Sequence, residues 1–145
     1  MAQSVQVLND RPLTRLKDSK LALDDDRLDI RGRKVVDAAG KMIGHVRALF
    51  VDAADRKVRM LDIAGGGFLG IDDQHFLLPV DAVTKVTDSF VQVNETSERI
   101  AHSPAYDPKL VADYDRSYWE PYYGYYGGAP YWDTSYRYPD YPTWF

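Results

Sequence analysis

Between Asp29 and Asn94, short apolar runs alternate with glycine and aspartate turns at a spacing too tight for helices to lie between them. This rhythm predicts a small all-β structure. The predicted strands are Ile30 to Asp37, Met42 to Val51, Val58 to Ile63, His75 to Leu78 and Phe90 to Asn94. Ala38-Ala39-Gly40-Lys41 links the first two, with a glycine where a hairpin turn needs positive φ. Asp52 to Lys57 forms the second turn. Ile43 and Val46 are three residues apart, so strict alternation slips between them. Gly44 lies in that gap, where a β-bulge restores the register. In the third run Val58 and Met60 take one face and Leu61 and Ile63 the other. Apolar residues on both faces predict a barrel-wall strand that something else covers. Pro79 stops the fourth run, and Val80 to Val86 reads as a short extended or one-turn element. Five short antiparallel strands joined by hairpin links describe a small, partly open β-barrel.

The flanks differ in character. Residues 1–27 form an N-terminal extension whose leucines, such as Leu13, Leu16, Leu21 and Leu23, suit short extended pieces better than a long helix. Residues 28–94 form the barrel, and residues 95–145 a helical segment with an aromatic tail. Asp107-Pro108 is a helix start, since Asp caps free amides and Pro suits the first helical position. Leu110, Val111 and Tyr114 continue at helical spacing up to Trp119, and Pro121 ends the helix. Tyr122 to Phe145 reads as an extended tail rich in Tyr, Trp, Gly and Pro, with prolines at 121, 130, 139 and 142 breaking any ladder.

Composition excludes several functions. The net charge is -4 and the basic residues are scattered, which argues against a grip on nucleic-acid phosphates. The densest basic group, Arg31, Arg33 and Lys34, reads as a solvated strand edge whose field is cancelled by Asp24, Asp25, Asp26 and Asp29. Cysteine is absent, so thiol chemistry, disulfides and thiolate metal ligation are excluded. The first ten residues lack the basic start and apolar core of a signal peptide. No run approaches the roughly twenty apolar residues of a membrane helix. A cytoplasmic chain with no integral membrane segment is expected.

No catalytic arrangement is legible. The glycine run Gly65 to Gly70 is followed by a strand rather than a helix, and Asp72 and Asp73 would repel a phosphate. It reads as a tight barrel loop with Phe68 and Leu69 folded onto the core. Asp72, Asp73 and His75 supply too few fixed ligands for a metal, and calcium-loop spacing is missing around Asp24 and Asp52. His45 reads as a wall residue with a satisfied ring. No Ser-His-Asp order or acid pair appears, so the expectation is no enzyme, no cofactor and no metal. The aromatic tail carries the sharper hypothesis, because Tyr and Trp are enriched in interface hot spots. It wraps over its own barrel or that of a second subunit, or it docks on a separate protein. Stacking on nucleic-acid bases would need interleaved basic residues, and only Arg116 and Arg137 are present.

Residues 28–94 resemble a PRC-barrel domain. The resemblance rests on Asp29-Ile30-Arg31-Gly32, Ile43-Gly44 with Val46, Val51-Asp52, and Val58-Arg59 with Leu61. It continues through Gly66-Gly67-Phe68-Leu69-Gly70 and Pro79 with Asp81-Ala82-Val83. Ser103 to Pro108, Tyr125-Tyr126-Gly127 and Pro130-Tyr131-Trp132 resemble the tail of members like the photosynthetic reaction-centre H subunit. Arg33 stands where many relatives carry Trp, and Ala48 where they carry an acidic residue. The H subunit has a membrane helix that this sequence lacks. Family members dock on partners: the H-subunit barrel on a membrane complex, and the barrel of a ribosome-maturation factor on a ribosomal protein. The resemblance therefore implies a non-catalytic protein-interaction or scaffolding module of bacterial type, acting as a homodimer. Its expected contact residues are Phe68 and Leu69 on the loop and Tyr122, Tyr123, Trp132 and Trp144 on the tail. The alternatives are a ribosome or RNA-processing accessory, or a regulator of photosynthetic electron transfer at a membrane face.

Overall fold

The computed structural model describes residues 13–16, 23, 29–52, 55–65, 74–104, 106 and 116–139. The fold is a sheet curled into an open barrel, organised around one long strand. The described strands are β1 (Thr14–Arg15), β2 (Lys34–Val36), β3 (Met42–Val51), β4 (Val58–Gly65), β5 (Gln74–Pro79), β6 (Val83–Val86) and β7 (Phe90–Val93). A single 3-10 turn, Val80–Ala82, joins β5 to β6. Two helices follow, α1 (Ser97–Ala101) and α2 (Arg116–Tyr125). The strand order is β5-β4-β3-β2-β7-β6, with β1 also paired to β3.

Each of the five expected runs contains a strand, but the details differ. Ile30 to Arg33 is a turn rather than the start of β2. The Arg33 amide donates to the Ile30 carbonyl at 3.3 Å, and Gly32 has φ +87. Val83–Val86 is a strand in its own right, preceded by the one-turn piece. Pairing is antiparallel throughout except between β2 and β7, which run parallel. Four strands separate these two in sequence, so no hairpin dictates their relative direction.

Three bulges shape β3 and its neighbours. Val35 pairs with Gly44 and Val36 with Met42, which leaves Ile43 unopposed at the predicted slip. Ile43 and Gly44 are consecutively buried as a result. Gly44 also faces the β4 backbone so closely that a Cβ would stand 2.1 Å from the Ala64 carbonyl oxygen. Glycine is thus demanded here by close approach of two backbones, not by φ. The second bulge leaves Arg47 unpaired between Val46–Ile63 and Ala48–Asp62. The third leaves Arg59 unpaired between Phe50–Met60 and Val51–Val58. A bulge re-aims side chains, and this one places Met60 in a different apolar cluster from Val58 and Leu61.

The core has two parts. The barrel interior holds Ile30, Val35, Ile43, Leu49, Leu61, Ile63, Leu78, Val86, Val91 and their neighbours, closed by Ile100 of α1. A second cluster joins Phe50, Met60 and Leu77 of the sheet to Leu13, Tyr106 and the α2 residues Trp119, Tyr122 and Tyr123. Val58 to Ile63 are accordingly all buried, and the cover predicted for this strand is the C-terminal segment of the same chain.

Pro121 does not end the helix as expected; it lies inside α2. An interior proline costs about 3 kcal/mol. Three buried aromatic residues at roughly 150–250 Å² each, and about 25 cal/mol per Å², offset that cost several times over. The helix stops instead at Gly127, which has φ +78. Its amide donates to the Gly124 carbonyl at 3.2 Å, and the Gly128 amide to the Tyr123 carbonyl at 3.1 Å. This is the paired closure of a Schellman motif. Tyr122 to Tyr125 are therefore helical, not extended tail. The expected helix start at Asp107-Pro108 lies outside the described residues.

Candidate functional site

The C-terminal segment is held to the barrel by charge as well as by apolar packing. The bulge in β4 turns Arg59, only 4% exposed, out of the ladder. Its Nε lies 2.6 Å from Asp52 Oδ2, and its Nη2 lies 3.0 Å from Asp55 Oδ2. The guanidinium also faces the rings of Tyr131, Tyr138 and Tyr136, at 4.7, 5.3 and 5.7 Å from their centroids. Burial opposes the charge, but the field and hydrogen bond of Asp52 outweigh it and hold Arg59 above its ordinary pKa. Tyr138 donates its hydroxyl to the Val58 carbonyl at 3.0 Å. An arginine face satisfied by carboxylates on its edge and aromatic rings on its plane anchors residues 131–138 to β4.

A second polar cluster lies on the same side of the sheet. Asp62, 1% exposed, accepts the Tyr106 hydroxyl at 3.0 Å and lies 2.8 Å from His75 Nδ1. Burial, with the Asp62 charge adding to it, pushes the Tyr106 phenol well above its ordinary range. The cluster ties β4 to β5 and to Tyr106. His75 is thus engaged by Asp62; Asp72 and Asp73, its expected companions, lie outside the described residues. Among the described residues no group of three metal-ligating side chains occurs.

The other half of the sheet presents an exposed polar face. Lys34 on β2 stands opposite His45 on β3 and opposite Phe90 on β7. The Lys85 ammonium on β6 sits 5.8 Å from the Phe90 ring centroid. His45, Lys34 and Lys85 are exposed, and so is the bulged Arg47. This row crosses four strands without a carboxylate in it, on a chain whose net charge is -4. His45, expected to be a satisfied wall residue, is instead part of this solvent-facing row.

The contact residues predicted from the sequence divide three ways. Tyr122 and Tyr123 are buried in the second cluster, 3% and 1% exposed. Trp132 is half-buried against that cluster, its ring 5.9 Å from that of Tyr123 and 5.1 Å from that of Tyr131. Phe68, Leu69 and Trp144 lie outside the described residues. Sequence reasoning missed Arg59 and Asp62. The signal was available: two charged residues inside a run read as apolar on both faces require buried partners. No described helix is long and apolar enough to cross a membrane.

The sequence model of one protein family, described as PRC-barrel domain, matches residues 27–100. That stretch takes in β2 to β7 and α1 as far as Ile100. No curated protein matches the chain.

Proposed function

The chain belongs to the PRC-barrel family, and from that premise we propose that it is a non-catalytic protein-interaction module. The row of exposed His45, Lys34 and Lys85 around the half-buried Phe90 carries the proposal. Strand pairing fixes Lys34 beside His45 and Phe90, the Lys85 ammonium reaches the same ring from β6, and the row offers positive charge around one aromatic ring. A partner with an acidic surface complements it. Tyr122 and Tyr123 are taken up by the chain's own second cluster, so they leave the list of partner contacts. Phe68, Leu69, Trp132 and Trp144 stay on it.

The test is affinity capture with the wild type, with Lys34→Glu/Lys85→Glu, and with Glu98→Gln as a control on α1. The double variant should lose the salt-sensitive partners that the other two retain. Identical partners for all three, with circular dichroism unchanged, would refute the proposal. The basic row also favours the ribosome-accessory reading, and co-sedimentation with ribosomal subunits separates it from docking on another protein. We take the working unit to be a homodimer, a reading supported by the open sheet, in which β6 has no described strand beyond it. A single-chain mass by light scattering would overturn the dimer.

A further inference from the structure

On a regular strand, residues three apart point to opposite faces. Met42 and His45 escape that rule because the bulge buries Ile43 and Gly44 consecutively, so both flanking residues face solvent. Met42 is 42% exposed, which singles it out among the described residues as a large apolar side chain in water. Directly paired residues share a face. Met42 pairs with Val36, and Val36 with Gln92 of β7. Val36 is half-buried, and Gln92 donates its side-chain amide to the Asp37 carbonyl at 3.2 Å. Two rows therefore cross the strands on one outer face: Met42, Val36 and Gln92, and beside them His45, Lys34 and Phe90. The rows lie two residues apart, about 7 Å along the strands. Lys85 of β6 pairs with Gln92, but its ammonium swings back toward the Phe90 ring. Among the described residues no carboxylate forms an ion pair with Lys34, Lys85 or His45. The face thus has an apolar centre, made of Met42, Val36 and Phe90, and cations around it.

We propose that this face docks an acidic amphipathic α-helix of the partner, laid across the strands. The inference rests on the docking reading above and specifies its occupant. Strands lie about 4.8 Å apart, so Lys34, Phe90 and Lys85, on β2, β7 and β6, are spaced at about 0, 5 and 10 Å across the sheet. In a helix rising about 1.5 Å per residue, i+3 and i+4 stand about 4.5–6 Å on and i+7 about 10.5 Å on, all on one side. Carboxylates at i and i+7 then meet the two lysines, with an apolar residue between them on Phe90. Such a helix is about 10 Å wide and covers the second row as well, where a further apolar residue meets Met42 and Val36. Methionine suits this role, since its flexible side chain adapts to the surface it meets. An extended peptide lying the same way repeats its side chains about every 6.7 Å and falls out of step by the second contact. An anionic bilayer would answer the lysines too, but it takes up projecting apolar anchors, and Val36 and Phe90 are half-buried.

The probe is an alanine-glutamine helical peptide with Glu at i and i+7 and Leu at i+3 and i+4, titrated into the full chain and followed by amide chemical shifts. Its control has the same composition with the second Glu moved to i+5, about 140° around the helix from the first. Saturable shifts centred on Lys34, Met42 and Phe90 are expected for the matched peptide, which should bind several-fold more tightly than the control. Met42→Ser should weaken binding several-fold, and Lys34→Glu/Lys85→Glu roughly tenfold or more. All three positions are exposed, so circular dichroism should not change. A peptide with Lys in place of both Glu should bind the double variant and not the wild type, a reversal that misfolding does not produce. Equal binding of matched and control peptides, no saturable shift by about 1 mM peptide, or displacement of the peptide by phosphatidylglycerol vesicles that bind the chain more tightly would each overturn the helix. If one of these came while the double variant still lost partners in affinity capture, docking on an acidic surface would stand without the helix. If the double variant kept every partner, the docking reading would fall as well.

Discussion

Replacing Trp119 by alanine tests whether the C-terminal segment is part of the core or merely lies on it. Trp119 is 1% exposed and packs at 5.2 Å between ring centroids on Phe50 of β3. A buried indole removes roughly 200 Å² from water, about 5 kcal/mol at ~25 cal/mol per Å². Alanine keeps a small part of that burial, and the sheet beneath can only partly close the gap. The expected loss is therefore about 4 kcal/mol, within the range of about 3–5 found for Trp-to-Ala core changes. With a urea slope near 2 kcal/mol per molar, the unfolding midpoint should fall by about 2 M. Far-UV circular dichroism is the appropriate signal, since fluorescence would change with the indole itself. Glu120→Ala, next in sequence but exposed, should stay within about 0.5 kcal/mol of wild type. If Trp119→Ala lost less than about 1 kcal/mol at an unchanged slope, the second cluster would not be a core, and the account of Pro121 would fall with it.

Two further perturbations probe the barrel. In Gly44→Ala the new methyl would meet backbone at 2.1 Å (Ala64 O), 2.8 Å (Ala64 C) and 3.0 Å (Gly65 Cα). Backbone cannot swing aside as a side chain can, so the cost should reach or exceed about 3 kcal/mol. Gly124→Ala in α2, with open space around it, should gain up to about 1 kcal/mol. Thermal melts of the pair decide the matter, and an unchanged melting temperature for Gly44→Ala would contradict the close approach. Asp37 links the β2–β3 turn to α1 by accepting the amides of Ala39, Lys41 and Ser97 at 2.9, 2.8 and 3.1 Å. Burial raises its carboxyl, but those amides together outweigh burial and leave it below its ordinary value of 3.8. Its contribution is thus present above the unfolded pKa and is lost as pH falls through the folded one. The stability gap between wild type and Asp37→Asn, from urea midpoints, should narrow from about pH 5 to about pH 2. A gap independent of pH would sink this assignment.

The barrel strands were legible because their signal is local. Val58 to Ile63 announces a wall strand by β-branched and apolar residues on both faces, and Gly44 announces a bulge by breaking alternation. What escaped depends on distant partners. Thr14–Arg15 has no apolar pattern and is a strand only because Phe50 and Val51 offer it a ladder. Val80, Val83 and Val86 recur every third residue, a spacing that fits neither period cleanly, and the chain resolves it as a turn followed by β6. Tyr118, Trp119, Tyr122 and Tyr123 do follow helical spacing, but Pro121 stands among them and local propensity argued for a break. Burial against Phe50, Met60 and Leu77 decided otherwise. The site was least legible of all. The basic row exists only once β2, β3, β6 and β7 are aligned, and the anchoring of residues 131–138 by Arg59 joins the middle of the chain to its end.

The parallel ladder between β2 and β7 also governs the order of assembly. The β3–β4–β5 meander and the β6–β7 hairpin join neighbours in sequence and can form early. Lys34 to Val36 must then find Phe90 to Gln92 across everything between them, a closure that is slow because its entropy is spent before its contacts form. Changes that weaken only the ladder of Lys34–Val36 on Phe90–Gln92 should consequently accelerate unfolding more than they slow folding, whereas a change at Val91, which also pairs with Val86 in the β6–β7 hairpin, should affect both rates. The chain assembles as two local pieces and becomes one cooperative unit when the short second strand settles beside the last.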